Sequence, residues 1–231
     1  EKTPSFSVNP EKQIYKCFGC GSGGGVINFI MEIDSLDFIE AIKKLGQMYN
    51  IHIDIGDNNP KLKNLKSQLL EINLKTQDFY QEQLNSINGK KIKDYLSKRG
   101  FNSKIIEDFK LGFSDNKPSR LLKYIQKMNF SSDSMKKSGL FFENEKGYFD
   151  RFKSRLIFPI NNQNGDIIAF AGRVIEKNDK FAKYINSPET PLYNKSKTFY
   201  GLDKASNTIK KENSVILVEG YFDLMQLVQN G

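Results

Sequence analysis

"RLIFPINNQNGDIIAFAGRVI", residues 155–175, is the stretch on which the reading of the fold turns. "RLIFPI" and "DIIAFAGRVI" are rich in branched and aromatic residues, and the "NNQNG" between them carries Asn-Gly, a strong hairpin signal. Two paired strands are therefore predicted here, with helical patterns on either side. Upstream, Leu62 to Leu84 is helical and polar, and "NSINGKK" makes a turn. "KIKDYLSKRGFNSKIIEDFKLGF" then gives two short helices broken at Gly100, the second capped by Asn102 or Ser103. A further helix is predicted over roughly 119–129. Downstream, a polar, lysine-rich loop runs from Glu176 to Ser206. In "SVILVEGYFDLMQLVQNG" the unbroken apolar run Val215–Val218 reads as a buried parallel strand and the remainder as a helix. Together these patterns give an α+β chain.

At the other end, "PSFSVNPEKQIYKCFGCGSGGG" suggests a small β-ribbon. "VINFIMEIDSLDFIEAIKKLGQMYNI" suggests two amphipathic helices: Val26, Phe29, Ile30 and Ile33 lie on the first, and Phe38, Ile39, Ile42 and Leu45 on the second. They are broken at Asp34 and Ser35. "DIGDNNPK" (54–61) is turn-forming and polar. The division expected is a first domain at 1–55, a linker at 56–64, a core at 65–212, and the beginning of another unit at 213–231.

With 231 residues and 38% hydrophobic content the chain can build a core. It has no apolar run of membrane-spanning length and no charged-then-apolar leader pattern, so a cytosolic protein is expected. A net charge of +8 favours a polyanionic partner, or simply a solvated lysine-rich surface. Because the chain starts at Glu1 and stops just after an apolar segment, it reads as an internal piece of a longer protein.

The two cysteines, Cys17 and Cys20, have the spacing of two thiolates on one metal ion, with Gly19 between them. Three readings stay open: half of a zinc site, a redox pair, or ordinary thiols. The redox reading wants the motif at a helix start behind a buried strand, whereas here it precedes "GSGGG". A closed zinc site takes four ligands. His52, in "NIHIDI" beyond two helices, reads as an ordinary strand or surface residue rather than a third ligand. "GSGGG" lacks the GK[ST] ending of a phosphate loop and reads as a flexible turn.

"VEGYFD" places Glu219 at a strand end, Gly220 at a turn and Asp223 in the next helix, where two carboxylates could share Mg²⁺ or Mn²⁺. The alternative is a solvated strand-end residue and a helix-start charge. In an extended chain Arg151, Lys153 and Arg155 would share one face. Arg173 follows a glycine, and Lys183, Lys195 and Lys197 face the single acid Glu189, with Tyr184 or Tyr193 available to stack on a base. Each cation could equally be a solvated charge.

Taken together, these stretches resemble the bacterial replicative DNA primases. "EKTPSFSVNPEKQIYKCFGCGSGGGVINFIM" is similar to the family's zinc-binding domain, beginning just after its CxxH half site. "LSKRGF", "GYFDRFKSRLIFPI", "AFAGRVI", "KYINSPETPLYNKS", "FYGL" and "VEGYFD" follow in the family's order through the N-terminal part of its RNA polymerase domain. The resemblance implies that Cys17 and Cys20 are the second pair of a Cys-His-Cys-Cys zinc site whose first pair lies before Glu1. It implies a partial zinc ribbon with helices, then a mixed helical and β core leading into the first strand and helix of a Toprim fold. Glu219 is implied in catalysis and in holding Mg²⁺ or Mn²⁺, with Asp223 completing the motif. Arg173, Lys183, Tyr184, Asn186 and Lys195 are implied in handling template, primer and nucleotide phosphates, with Arg99 and Arg155 as further members. Implied partners are single-stranded DNA template, NTPs, the RNA–DNA primer hybrid and a replicative helicase reached through a C-terminal domain absent here.

The family's downstream DxD aspartates lie beyond Gly231, so the longer protein is expected to synthesise RNA primers and this piece alone is not. The alternative is a non-catalytic zinc-ribbon module that binds single-stranded nucleic acid. A topoisomerase or nuclease with a Toprim unit would share Glu219 but not "KYINSPET".

Overall fold

The computed structural model describes residues 4–51, 60–145, 147–175 and 181–231, and divides the chain into two units, Glu1–Lys63 and Asn64–Gly231. His52 and part of the turn-forming 54–61 segment lie outside the described residues.

In the first unit, β1 (Phe6–Asn9), β2 (Ile14–Cys17) and β3 (Gly23–Gly25) form an antiparallel ribbon in that order. Tyr15 is its buried anchor, with the rings of Phe6 and Phe29 at 5.5 and 5.2 Å. Helix α1 (Val26–Asp34) ends where Ser35 turns left-handed, at the predicted break. Helix α2 (Phe38–Met48) starts at a capping box that sequence reading passed over: Asp37 accepts from the Glu40 backbone N–H and Glu40 accepts from that of Asp37. The apolar faces are only partly covered, since Val26, Ile33, Phe38 and Ile39 are exposed.

The long helix α3 (Pro60–Asn85), which from Asn64 onward belongs to the second unit, carries there a buried stripe that includes polar residues. Its polarity is used inside: Asn73 Nδ2 donates to the Ile167 carbonyl at 3.0 Å, and Gln77 Nε2 to the Lys110 carbonyl at 2.6 Å. Helices α4 (Lys90–Lys98) and α5 (Ser103–Asp108) follow, broken at left-handed Gly100, and the cap is Asn102, whose Oδ1 accepts from the Ile105 N–H. Next come β4 (Gly112–Ser114), α6 (Arg120–Ile125) and α7 (Ser132–Lys137), the last unpredicted. Strands β5 (Phe141–Asn144) and β6 (Gly147–Asp150) pair with each other.

The sheet that positions the candidate site has the order β4-β7-β8-β9, with β7 (Arg155–Asn161), β8 (Ile167–Val174) and β9 (Tyr184–Asn186). The predicted hairpin is present, and Asn162 Oδ1 closes its turn by accepting from the N–H groups of Asn164 and Asp166. Both faces of β7 and β8 are covered. Leu156, Phe158 and Ile160 join one apolar cluster with α4 and α5, while Ile157 and Phe170 join another with α3 and α6. Full burial of one such side chain stabilises by roughly 1.5–3 kcal/mol, which pins the register of the pair.

Three expectations are corrected. The polar loop expected from Glu176 to Ser206 contains strand β9, and helix α8 (Leu202–Glu212) begins within it. The alternation of Arg151, Lys153 and Arg155 on one extended face is interrupted, because Ser154 is left-handed and β7 starts only at Arg155. Val215–Val218 is not a buried strand: Leu217 is 73% exposed, and no described strand pairs with this run. Apolar residues form a parallel strand only where a partner strand takes their backbone groups. Helix α9 (Tyr221–Asn230) follows as predicted.

Candidate nucleic-acid and nucleotide site

Helix α9 is the element around which the distant motifs gather. Its Tyr221 and Phe222 both pack against Phe158 of the sheet, at ring distances of 4.9 and 5.4 Å. Tyr221 also meets Tyr184 and Tyr200, and its hydroxyl donates to Asn186 Oδ1 at 3.1 Å. Burial pushes the Tyr221 phenol well above its ordinary value, with Tyr193 and Tyr184 adding to the effect, so it remains a donor. On the other side Phe222 stacks on Phe101 at 5.1 Å. Gln226 Nε2 and Gln229 Nε2 donate to the carbonyls of Arg99 and Gly100. The "KRGF" turn is thereby tied to a helix more than a hundred residues later.

Arg173 and Arg155 are both buried arginines, but their environments differ. Arg155, 5% exposed, donates from Nη1 to the carbonyls of Gly172, Ala182 and Lys183, tying the start of β7 to β8 and the segment entering β9. Gly172 gives it room, since a Cβ there would lie 2.6 Å from the Phe152 ring and 2.9 Å from Arg155 Cδ. Burial lowers the pKa of Arg155.

Arg173, 8% exposed, meets no such set of carbonyls among the described residues. It pairs directly with Tyr184 across β8 and β9 and donates from Nη1 to the Tyr184 hydroxyl, while its Nε is buried without an acceptor. Its guanidinium lies over the rings of Tyr95, Tyr184 and Phe222 at 5.8, 5.1 and 4.7 Å. A buried charge without carboxylates is costly unless something else solvates it, and the ring faces do so in part. Arg99, exposed at the end of α4, lies over Tyr95 and Phe222 at 5.3 and 4.8 Å.

Arg99, Arg173, Tyr184 and Asn186 are therefore brought together around Tyr221 and Phe222, and Arg155 is set apart from them. Lys183 and Lys195 are exposed, with the Lys195 backbone N–H held by Glu189. Glu219 and Asp223 are exposed at the start of α9. Sequence reading missed Tyr95, Phe222, Gln226 and Gln229. Tyr95 had a signal, standing four residues before Arg99 on one helix, whereas Phe222 was hidden inside a motif read for its acids.

A groove of about 770 Å³ is lined by Lys117, Arg151, Lys153, Arg155, Phe142 and Phe181 among others. The three basic residues of the interrupted face thus meet in a groove even though they share no strand. Among the described residues its acids are Asp115, engaged with Arg120, and Asp150, engaged with the N–H groups of Leu121 and Leu122.

In the first unit, Cys17 is partly buried and Cys20 exposed. The Cys17 thiol is lowered to about 7, first by the Cys20 backbone N–H, then by Ser5, the Cys20 side chain and the Gly19 N–H. A loop that stabilises a thiolate suits a zinc ligand. Among the described residues no group of three or more His, Cys, Asp or Glu forms a complete metal cage, so the two thiols fit zinc as half of a site. Glu219 and Asp223, the sequence candidates for a hard divalent cation, stand exposed on either side of Gly220 and belong to no group of three or more metal-ligating side chains among the described residues. Gly220 leaves the Asp223 carboxylate its space, since a Cβ there would lie 2.6 Å from Asp223 Oδ2.

The family described as "DNA primase catalytic core, N-terminal domain" matches residues 79–206, and "CHC2 zinc finger" matches residues 1–61. The chain belongs to the bacterial DNA primase family. The DNA primase of Listeria innocua is 37% identical over the whole of this chain, which spans 38% of that relative's length. The structure of the Aquifex aeolicus primase, comprising its zinc-binding and RNA polymerase domains, is 32% identical with a TM-score of 0.64. It matches 99% of this chain over 54% of its own. The RNA polymerase domain of Mycobacterium tuberculosis primase, solved with a double-stranded DNA oligomer bearing a 6-nucleotide overhang, is 34% identical with a TM-score of 0.67. It matches 71% of this chain over 51% of its own. Among the described residues no helix is long and apolar enough to cross a membrane.

Proposed function

We propose that this chain is the zinc-ribbon and template-handling part of a DNA-templated RNA polymerase that makes short primers on single-stranded DNA. The observation that carries the reading is Arg173, buried without carboxylates beside Arg99, Tyr184 and Asn186 at the helix that bears the VEGYFD motif. Such a pair of guanidiniums suits phosphate, which it can meet through forked hydrogen bonds. The basic groove suits a nucleic-acid strand, with the exposed Phe181 available for stacking. The Mycobacterium tuberculosis domain was solved with DNA, which supports the same class of partner.

On this reading residues 1–55 are the zinc-binding domain, 56–64 the linker, 65–212 the N-terminal part of the polymerase core, and 213–231 the start of a Toprim unit in which Val215–Val218 acquires its strand partner. Cys17 and Cys20 hold zinc as half of a four-ligand site. Glu219, with Asp223, holds Mg²⁺ or Mn²⁺, which when bound neutralises triphosphate charge. Arg99, Arg173, Lys183 and Lys195 orient phosphates, and Tyr184 and Asn186 fix the floor beneath them. The primer 3′-hydroxyl attacks the α-phosphate in line, and pyrophosphate leaves. Phosphoryl transfer of this kind depends mostly on placement and electrostatics. Partners of the longer protein are single-stranded template, NTPs, the primer hybrid and a replicative helicase, at the replication fork in the bacterial cytoplasm.

The test is primer synthesis by the longer protein, wild type against Glu219→Gln, with zinc content and DNA binding measured on the same samples. Loss of synthesis with both retained is expected. Equal synthesis would remove Glu219 from the chemistry, and DNA binding without synthesis in either would favour a binding module.

A further inference from the structure

Phe222 is shared by two arginines. The Cζ atoms of Arg99 and Arg173 lie 4.8 and 4.7 Å from its ring centroid, and both also approach Tyr95. Among the described residues no ion pair includes either guanidinium. Two like charges that share the same two rings without an acid repel each other, and ring faces offset only part of that cost. The buried Nε of Arg173 adds a donor that no acceptor meets. The ring itself is held firmly: it stacks on Phe101, stands edge-on to Phe158, and lies on a helix tied to the Arg99–Gly100 turn through Gln226 and Gln229.

We infer that Phe222 is a positioning residue, whose ring holds both Arg99 and Arg173 as one receptor for a chain of phosphates. This deepens the reading above, in which the two arginines orient phosphates. The apolar residue inside the acidic motif sets the distance between cations that come from α4 and β8. A leucine there would keep much of the apolar burial and remove the ring face that both guanidiniums use.

The test is calorimetric titration of the 231-residue chain with inorganic tripolyphosphate, comparing wild type with Phe222→Leu, Tyr95→Leu and Tyr95→Phe, with circular dichroism reporting the fold. Phe222→Leu is expected to bind about tenfold more weakly. Its dependence on salt should match wild type, because both charges remain, whereas Arg99→Gln should flatten that dependence. Tyr95→Leu should weaken binding by a smaller factor and Tyr95→Phe should restore it.

A folded Phe222→Leu protein with wild-type affinity, or a wild type that does not bind tripolyphosphate, would overturn the inference. If Phe222→Leu fails to fold, the Tyr95 pair decides: equal affinity for Tyr95→Leu and Tyr95→Phe overturns it. Absence of primer synthesis by the longer protein would remove the primase reading while leaving this receptor in place. Unchanged tripolyphosphate affinity in the leucine variants would remove only the role of Phe222.

Discussion

The Tyr221 hydroxyl donates to Asn186 Oδ1 across 3.1 Å, joining α9 to β9 between residues 35 positions apart in sequence. The bond sits in an aromatic block, so it fixes the angle at which the acidic end of α9 meets the sheet. Tyr221→Phe keeps the stacking on Phe158 and removes only the bond. A loss of about 1 kcal/mol is expected, read as a lower urea midpoint with an unchanged slope. A change in slope would mean that the substitution altered the surface exposed on unfolding and not the bond alone.

Arg155→Leu and Arg173→Leu should separate a structural arginine from a functional one. The first leaves three carbonyls without their shared donor and should cost about 2 kcal/mol. The second removes a buried cation that lacks carboxylates, and such replacements are often neutral or stabilising. Arg173→Leu should therefore stay within about 1 kcal/mol of wild type while weakening tripolyphosphate binding. The opposite order of stabilities would refute the contrast.

Gly220→Ala places a methyl where Asp223 Oδ2 now lies 2.6 Å from the ideal Cβ position. The backbone there is extended, so the effect should fall on the carboxylate rather than on the fold. Synthesis by the longer protein should drop at least tenfold with thermal stability nearly unchanged, and rising Mg²⁺ should recover part of it. Full activity would show that Asp223 need not keep its present position.

Asp150 accepts the N–H groups of Leu121 and Leu122 at 3.0 and 2.9 Å, capping α6 from a distant strand. Burial is the largest influence on its carboxyl and raises it above the ordinary value, against the lowering effect of those N–H groups. Folding therefore gains from the protonated form: the gain is complete below the unfolded-state value and is lost as pH rises through the raised folded value. Asp150→Asn removes this dependence, so its stability deficit relative to wild type should be larger in acid than at neutral pH. Paired urea melts check this, and a deficit that grows towards neutrality would contradict it.

Cys17→Ser and Cys20→Ser should each abolish zinc retention by the longer protein, which carries the other ligand pair, measured as metal content after dialysis. Retention in either single variant would place the ion elsewhere.

Much of this protein was legible before any tertiary contact was known. The β7–β8 hairpin follows from two β-rich runs around Asn-Gly, the α4–α5 break from Gly100, and the first break in the N-terminal helices from Asp34 and Ser35. These are local signals, decided by turn chemistry and by side-chain period within a few residues. The two short motifs could be picked out for the same reason, because Cys17 with Cys20 and Glu219 with Asp223 are close in sequence.

What tertiary structure alone decided is which cations are tied to backbone carbonyls and which lie among aromatic rings. Arg155 and Arg173 look alike in sequence, yet one meets three carbonyls and the other three aromatic rings. Val215–Val218 has the composition of a strand and is not one among the described elements, because pairing is non-local and needs a neighbour that composition cannot supply. Phe222 acquires its place between Arg99 and Arg173 only because α4, β8 and α9 pack together, bringing three distant segments of the chain to one ring.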